Sequence, residues 1–194
     1  MDQELQSLIE AWTICKSSHP QKDPNLYHNA FNFIETFKQT STHLLEIGFY
    51  IATMEKSSSN SNQEDTELTY FAIQLITHAI KYKWNDAHIL NEHVKRDIGA
   101  KLFHVVFGVE RFLHGPKYLR TSACLAMTEL LKREWPQNWP TFLDELVGVC
   151  TRESATSAHK CQVFVLFKCM AEEFLDMENI GKTLNSFKLI FRLI

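Results

Sequence analysis

"KREWPQNWPTFLDEL", residues Lys132 to Leu146, decides the fold. Its two Trp-Pro dipeptides begin at Trp135 and Trp139, with an amphipathic stretch on each side. Trp135 follows Leu131 in apolar phase, so it closes a helix. Pro136 stops that helix, because proline has no N–H and its ring clashes with the preceding turn. Gln137 and Asn138 make the turn. Trp139 precedes the next helix, and Pro140 is expected in its first turn, where the missing N–H is unpaired anyway. Phe142, Leu143 and Leu146 then point to a core. Large rings on both sides of a tight turn bury the hinge. The elbow of Trp135, Pro136, Trp139 and Pro140 is therefore read as structural in preference to a binding role.

The same reading extends outward. Leu68, Phe71, Ala72, Leu75, Ile76, Ala79 and Ile80 recur at three-four spacing, the stripe of an amphipathic helix. Leu119, Ala123, Met127, Leu130 and Leu131 repeat it, as do Leu26, Ala30, Phe33, Ile34 and Phe37. No alternating strand pattern is seen. Asp23-Pro24 and Gly115-Pro116 read as helix starts, like Trp139-Pro140, and each also breaks the preceding segment. Helices are expected over about 3–17, 24–39, 42–55, 67–84, 88–108, 116–135, 140–151, 157–176 and 178–194. The polar run "KSSSNSNQED" (Lys56–Asp65) lacks periodicity and reads as a flexible loop, about 56–66, within a helix pair.

Taken in pairs, the helices start near 3, 42, 88, 140 and 178. Those spacings bracket the period of HEAT-type helix pairs, about 40–47 residues. Sequence identity between the units is negligible, so only the period repeats. The fold class is all-α: a HEAT-like helical-repeat solenoid of four to five helix pairs, one region over 1–194. Phe187, Ile190, Phe191 and Ile194 keep arriving in helical phase. A finished solenoid needs a polar cap, so a truncated array is expected.

Composition narrows the function. The 194 residues are 45% apolar and 22% charged, with formal net charge −3. That balance argues against a nucleic-acid binder by overall charge. Residues 1–67 carry 4 Lys/Arg against 10 Asp/Glu, so the acid is concentrated at the start. The five cysteines are Cys15, Cys124, Cys150, Cys161 and Cys169, with no C-x-x-C, and read as small hydrophobes of a reducing compartment. No signal peptide and no membrane span are expected. His88 and His93 are five apart, and His159 and Cys161 two apart, so neither pair shares a helix face as metal ligands must. Neither a phosphate-cradling glycine loop nor a nucleophile motif is seen. Catalysis, cofactor and metal are therefore not expected. Lys81, Lys83, Lys95, Arg96 and Lys101, interleaved with Tyr82 and Trp84, form a basic interval of the sort RNA contact requires. A structural or protein-binding role outweighs that reading, because the interval spans two helices.

"MTELLKREWPQNWPTFLDEL" (127–146) resembles the helix-elbow-helix near the N-terminus of exportins in the importin-β superfamily. "FAIQLITHAIKYKWN" (71–85) resembles the helix two elements earlier, through Phe71, Ile73, Gln74, Ile76, Ile80, Lys81, Lys83 and Trp84. Within that superfamily the string is most like the exporters of short double-stranded RNA hairpins. The resemblance implies a superhelix with outer A helices and inner B helices. It implies partners: Ran-GTP on the first B helices, export cargo on later repeats (double-stranded RNA hairpins for that branch) and nucleoporins, with shuttling between nucleus and cytoplasm. Carried onto this chain, the B helices are about 24–39, 67–84, 116–135 and 157–176. Ran-binding candidates on their polar faces are Asn32, Glu35, Gln74, His78, Lys81, Glu129 and Lys132. An importin of the same superfamily, a non-transport HEAT scaffold and a direct RNA-binding module are the competing readings.

Overall fold

A computed structural model of the chain describes residues 1–17, 23–54, 62–85, 90 and 92–174. The described elements are all helical: α1 (Asp2–Ser17), α2 (Pro24–Thr40), α3 (Leu44–Thr53), α4 (Asn62–Tyr82), α5 (Glu92–Gly108), α6 (Glu110–His114), α7 (Lys117–Glu134), α8 (Phe142–Thr151) and α9 (Ser157–Phe174). Helices pack in pairs: α1 with α2, α3 with α4, α5 with α7 across the short α6, and α8 with α9. The second members then pack on one another, α4 on α7 and α7 on α9 most extensively. This gives a B layer of α2, α4, α7 and α9 behind an A layer of α1, α3, α5 and α8: the pairing is that expected from the period, the layering that implied by the resemblance.

The stripes read from sequence form the shared core. Phe71, Ala72, Leu75, Ile76, Ala79 and Ile80 of α4 are buried, as are Leu119, Ala123, Met127, Leu130 and Leu131 of α7. Each large side chain among them contributes about 1.5–3 kcal/mol on burial. In α2, Ala30, Ile34 and Phe37 are buried, whereas Leu26 and Phe33 are exposed. Gly48 permits the close approach of α3 to α4: a Cβ there would lie 2.7 Å from Ile76 Cγ1 and 3.3 Å from the Ala72 carbonyl oxygen.

Successive units are also joined at their helix ends. The last carbonyls of a helix have no intrahelical donor and carry the negative end of its dipole. Here a basic side chain from the following unit supplies the donor. Lys83 Nζ donates to the Ser41 carbonyl, at the end of α2, at 2.8 Å. Arg133 donates to the Lys81 carbonyl, at the end of α4, at 3.2 Å. On the A side Arg111 donates to the Met54 carbonyl closing α3, and Arg152 reaches the Phe107 carbonyl of α5 at 3.5 Å. Units with negligible sequence identity thus share a capping chemistry.

Several boundaries differ from expectation. Of the loop expected over about 56–66, residues 62–66 are helical, because α4 already begins at Asn62. Asp65 and Glu67 belong to it: the Asp65 carbonyl accepts from the Thr69 hydroxyl, and Glu67 pairs with Lys16 of α1 at 2.8 Å. Residues 55–61 lie outside the described residues, as does the helix expected over 178–194. Short helix α6 was not expected; its Phe112 and Leu113 are buried. Pro140 does not enter a helix: α8 starts at Phe142 with Thr141 as its N-cap. Pro116 likewise caps α7 from outside, whereas Pro24 does sit in the first turn of α2, behind an Asp23 cap that accepts from the Leu26 amide at 3.0 Å.

The elbow owes its form to Glu134 more than to either tryptophan alone. Its carbonyl accepts from the amides of Asn138 at 2.7 Å and Trp139 at 3.0 Å, which folds the chain back after α7. Its buried carboxylate accepts from Trp84 Nε1 at 2.6 Å, which ties the elbow to the end of α4. Trp139 seats its ring against Phe142, Phe103 and the bare Cα of Gly99 on α5. Trp135 is half-buried against the core, and the Trp135–Pro136 peptide is cis.

Candidate functional site: a groove across the B layer

α4 and α7 pack with their apolar stripes toward the A layer, so their polar faces border an open groove of about 410 Å³. Lys38 of α2, Gln74, His78 and Lys81 of α4, Glu129 of α7 and Glu173 of α9 line it. Residues at i, i+3 and i+4 share a helix face, which is why Gln74, His78 and Lys81 arrive together. Lys132 stands beside them, bonded to both Glu129 and Glu173. Glu35 is held at the α2 margin by Lys38, 2.6 Å away. Asn32 is exposed on α2 and does not line the groove. Four of the seven sequence candidates, Gln74, His78, Lys81 and Glu129, therefore line the groove; Lys132 joins them through Glu129, Glu35 reaches it only through Lys38, and Asn32 stands apart.

Glu129 is not the solvated side chain that its phase suggested. It is 7% exposed and sits between helices. Its carboxylate takes Lys132 at 2.9 Å, Arg133 at 3.2 Å and Lys81 at 3.3 Å. Burial on its own raises a carboxyl pKa. The hydrogen bond and charge of Lys132, then the charge of Lys81 and the Arg133 bond, outweigh burial and hold Glu129 below the ordinary carboxylate value. Lys132 shows the mirror case: burial works to lower it, and the bonds to Glu173 and Glu129 leave it raised. The result is an ionic bridge from α4 through α7 to α9.

His78 lies half-buried in this groove with its ring 4.7 Å from that of Tyr82. Burial, and next the charge of Lys38, push its pKa below the ordinary histidine value, so the ring is neutral at physiological pH. Sequence reasoning missed Lys38, Tyr82 and Glu173. The signal for the first two was present, since Lys38 is i+3 from Glu35 and Tyr82 is i+4 from His78. Glu173 carried none, because its role depends on the register of α9 against α7.

Elsewhere the titratable groups serve the fold. Cys124, Cys150 and Cys169 are buried, and burial raises their pKa values, that of Cys169 to about 11. Such thiols are poor nucleophiles. Cys161 is exposed and Cys15 half-buried, so the expectation that all five lie in apolar surroundings does not hold. Of the basic interval, Lys83 caps α2, Lys95 lies 5.8 Å over the Trp84 ring and Lys101 pairs with Asp97 at 2.7 Å. These three cations each have a partner within the fold. Among the described residues, no group of three or more His, Cys, Asp or Glu is placed to hold a metal, and no helix is long and apolar enough to cross a membrane.

The comparisons with known proteins bear on the same helices. The family model described as Exportin 1-like protein matches residues 116–192, which includes α7, the elbow, α8 and α9. Mouse Exportin-5 is 24% identical over 178 residues, covering 90% of this chain. The chain is exportin-like. Human Exportin-5 is 23% identical over 175 residues, and Arabidopsis thaliana EXPORTIN 1A is 24% identical over 145 residues, or 69% of this chain. The chain spans only 13% of the length of each of these relatives. The exportin-like sequence thus runs through the elbow and the helices that carry the groove.

Proposed function

We propose that this chain is the N-terminal part of a nuclear export receptor, and that its B-layer groove engages Ran in the GTP form. The observation that carries the proposal is the convergence of Gln74, His78, Lys81, Glu129 and Lys132, from successive B helices, on one open groove in an exportin-like chain. A surface shared by consecutive repeats suits a protein partner with an extended contact region. The whole chain acts as one region of the receptor. Cargo, in the form of short double-stranded RNA hairpins, and nucleoporins belong to further repeats of a longer receptor, which shuttles between nucleus and cytoplasm. Cargo and Ran-GTP then favour the same conformation, and by linkage each raises the affinity for the other.

Equilibrium binding to Ran loaded with a non-hydrolysable GTP analogue, against Ran-GDP, tests the proposal. Gln74→Trp is the matched variant, since Gln74 is exposed and a large ring there fills the groove. Selective binding of the GTP form, lost in Gln74→Trp, is the expected result. Equal binding of both nucleotide forms, or none to the chain restored within its full receptor, would favour a HEAT scaffold outside transport.

A further inference from the structure

We infer that the partner segment seated in the groove presents a carboxylate to Lys81 and lays an apolar side chain on the Tyr82–His78 ring pair. This rests on the groove being a partner-binding face, and it specifies the chemistry of the partner.

Charge supplies the first argument. Along the bridge, three cations (Lys81, Lys132 and Arg133) meet two carboxylates (Glu129 and Glu173), and Lys38 and Glu35 beside it neutralise each other. An incoming carboxylate completes the balance, and complementary charge of this sort selects among partners. The second argument is which cation is available. Lys132 has two acceptors, and Arg133 also holds backbone carbonyls of Glu129 and Lys81. Lys81 is the most distant of the Glu129 partners, at 3.3 Å from an oxygen that Lys132 approaches to 2.9 Å. Its side chain is 42% exposed. When Lys81 turns outward, Glu129 keeps Lys132 and Arg133 and is not left as an unpaired buried charge.

The third argument is the ring pair. Tyr82 is 73% exposed, the most exposed large apolar side chain among the described residues. It follows Lys81 directly and lies against His78, which also lines the groove. An exposed aromatic with a polar tip is a common anchor at protein interfaces. The fitting partner is an acidic segment with an apolar residue next to the acid.

The test is a titration of the ¹⁵N-labelled chain with two blocked peptides followed by amide shifts. One is Gly-Ser-Asp-Leu-Asp-Ser-Gly; the other replaces both Asp by Lys. The acidic peptide should shift His78, Lys81 and Tyr82 saturably, with affinity at least about tenfold above its basic counterpart. Lys81→Gln and Tyr82→Ala should each weaken it by about threefold or more, roughly the strength of one exposed contact. Equal binding of the two peptides, or shifts from neither, overturns the inference. Outcomes with Ran separate the two readings. If the acidic peptide titrates the groove while Ran-GTP does not bind, the Ran reading falls and the acidic-segment inference stands. If GTP-loaded Ran binds the wild-type and Lys81→Gln chains equally, the inference falls and the Ran reading stands.

Discussion

Replacing Trp84 by phenylalanine should destabilise the chain more than any other Trp→Phe change. Trp84 is 2% exposed, and its Nε1 donates to the buried Glu134 carboxylate at 2.6 Å. Phenylalanine removes that donor and leaves a small void. Loss of a hydrogen bond to a charged group costs about 1.5–3 kcal/mol. The void adds about 1 kcal/mol, as partial collapse leaves some residual volume. The total is about 2.5–4 kcal/mol. Trp135→Phe serves as comparison, since Trp135 belongs to the same elbow but is only half-buried; its cost should stay below about 1.5 kcal/mol. Repeating Trp84→Phe in a Glu134→Leu background removes the hydrogen-bond part and leaves the void, so the coupling energy should be about 1.5–3 kcal/mol. Urea unfolding followed by circular dichroism measures all four corners of the cycle. Additive effects within about 0.5 kcal/mol, or equal costs at Trp84 and Trp135, would refute the assignment of Glu134 as the residue that joins the elbow to α4.

Three further outcomes follow from the fold. Gly48→Ala should cost about 1–3 kcal/mol by overpacking against Ile76 Cγ1, despite alanine's better helix propensity; a more stable variant would contradict the close α3–α4 approach. Lys83→Met and Arg111→Met remove caps at opposite faces, so in thermal unfolding each should cost about 1 kcal/mol and the pair should be additive. Stability should fall on acidification in two stages. His78 and His159 have lowered folded pKa values, through burial first and then Lys38 and Arg152 respectively. The stability they contribute is complete above the unfolded value near 6.5 and is lost as pH falls through their folded values. Glu129 is lowered from 4.5, so its share persists until pH drops through a still lower folded value. His159→Gln should flatten the first stage of a pH–melting-temperature curve and leave the second in place; an unchanged first stage would count against this assignment.

What the sequence revealed, and what it did not, has a physical pattern. The stripes of α4 and α7 were readable because a one-sided helix must repeat its apolar residues every third or fourth position, and those residues are buried. The elbow was readable because proline stops helices locally. Phe33 misled because an apolar residue in phase at the stripe's edge can face outward, as it does here. Glu129 misled for the opposite reason. Its polarity and phase suggested solvent, but three cations from two helices let a buried carboxylate be satisfied. The caps by Lys83, Arg111, Arg133 and Arg152 were invisible because they join residues 42–57 apart with no shared local pattern. Gln74, His78, Lys81 and Glu129 line one groove, with Lys132 bonded to Glu129, because helix phase is local information. Asn32 is exposed on α2 and does not line it.

The most direct measurement is site-specific photocrosslinking with a benzophenone side chain placed at Gln74 or at Glu46. Gln74 lines the B-layer groove, whereas Glu46 is on α3 in the A layer. The account predicts crosslinks from position 74 to GTP-loaded Ran, none to GDP-loaded Ran, and none from position 46. Crosslinks from 46 but not 74, or crosslinks indifferent to the nucleotide, would contradict it.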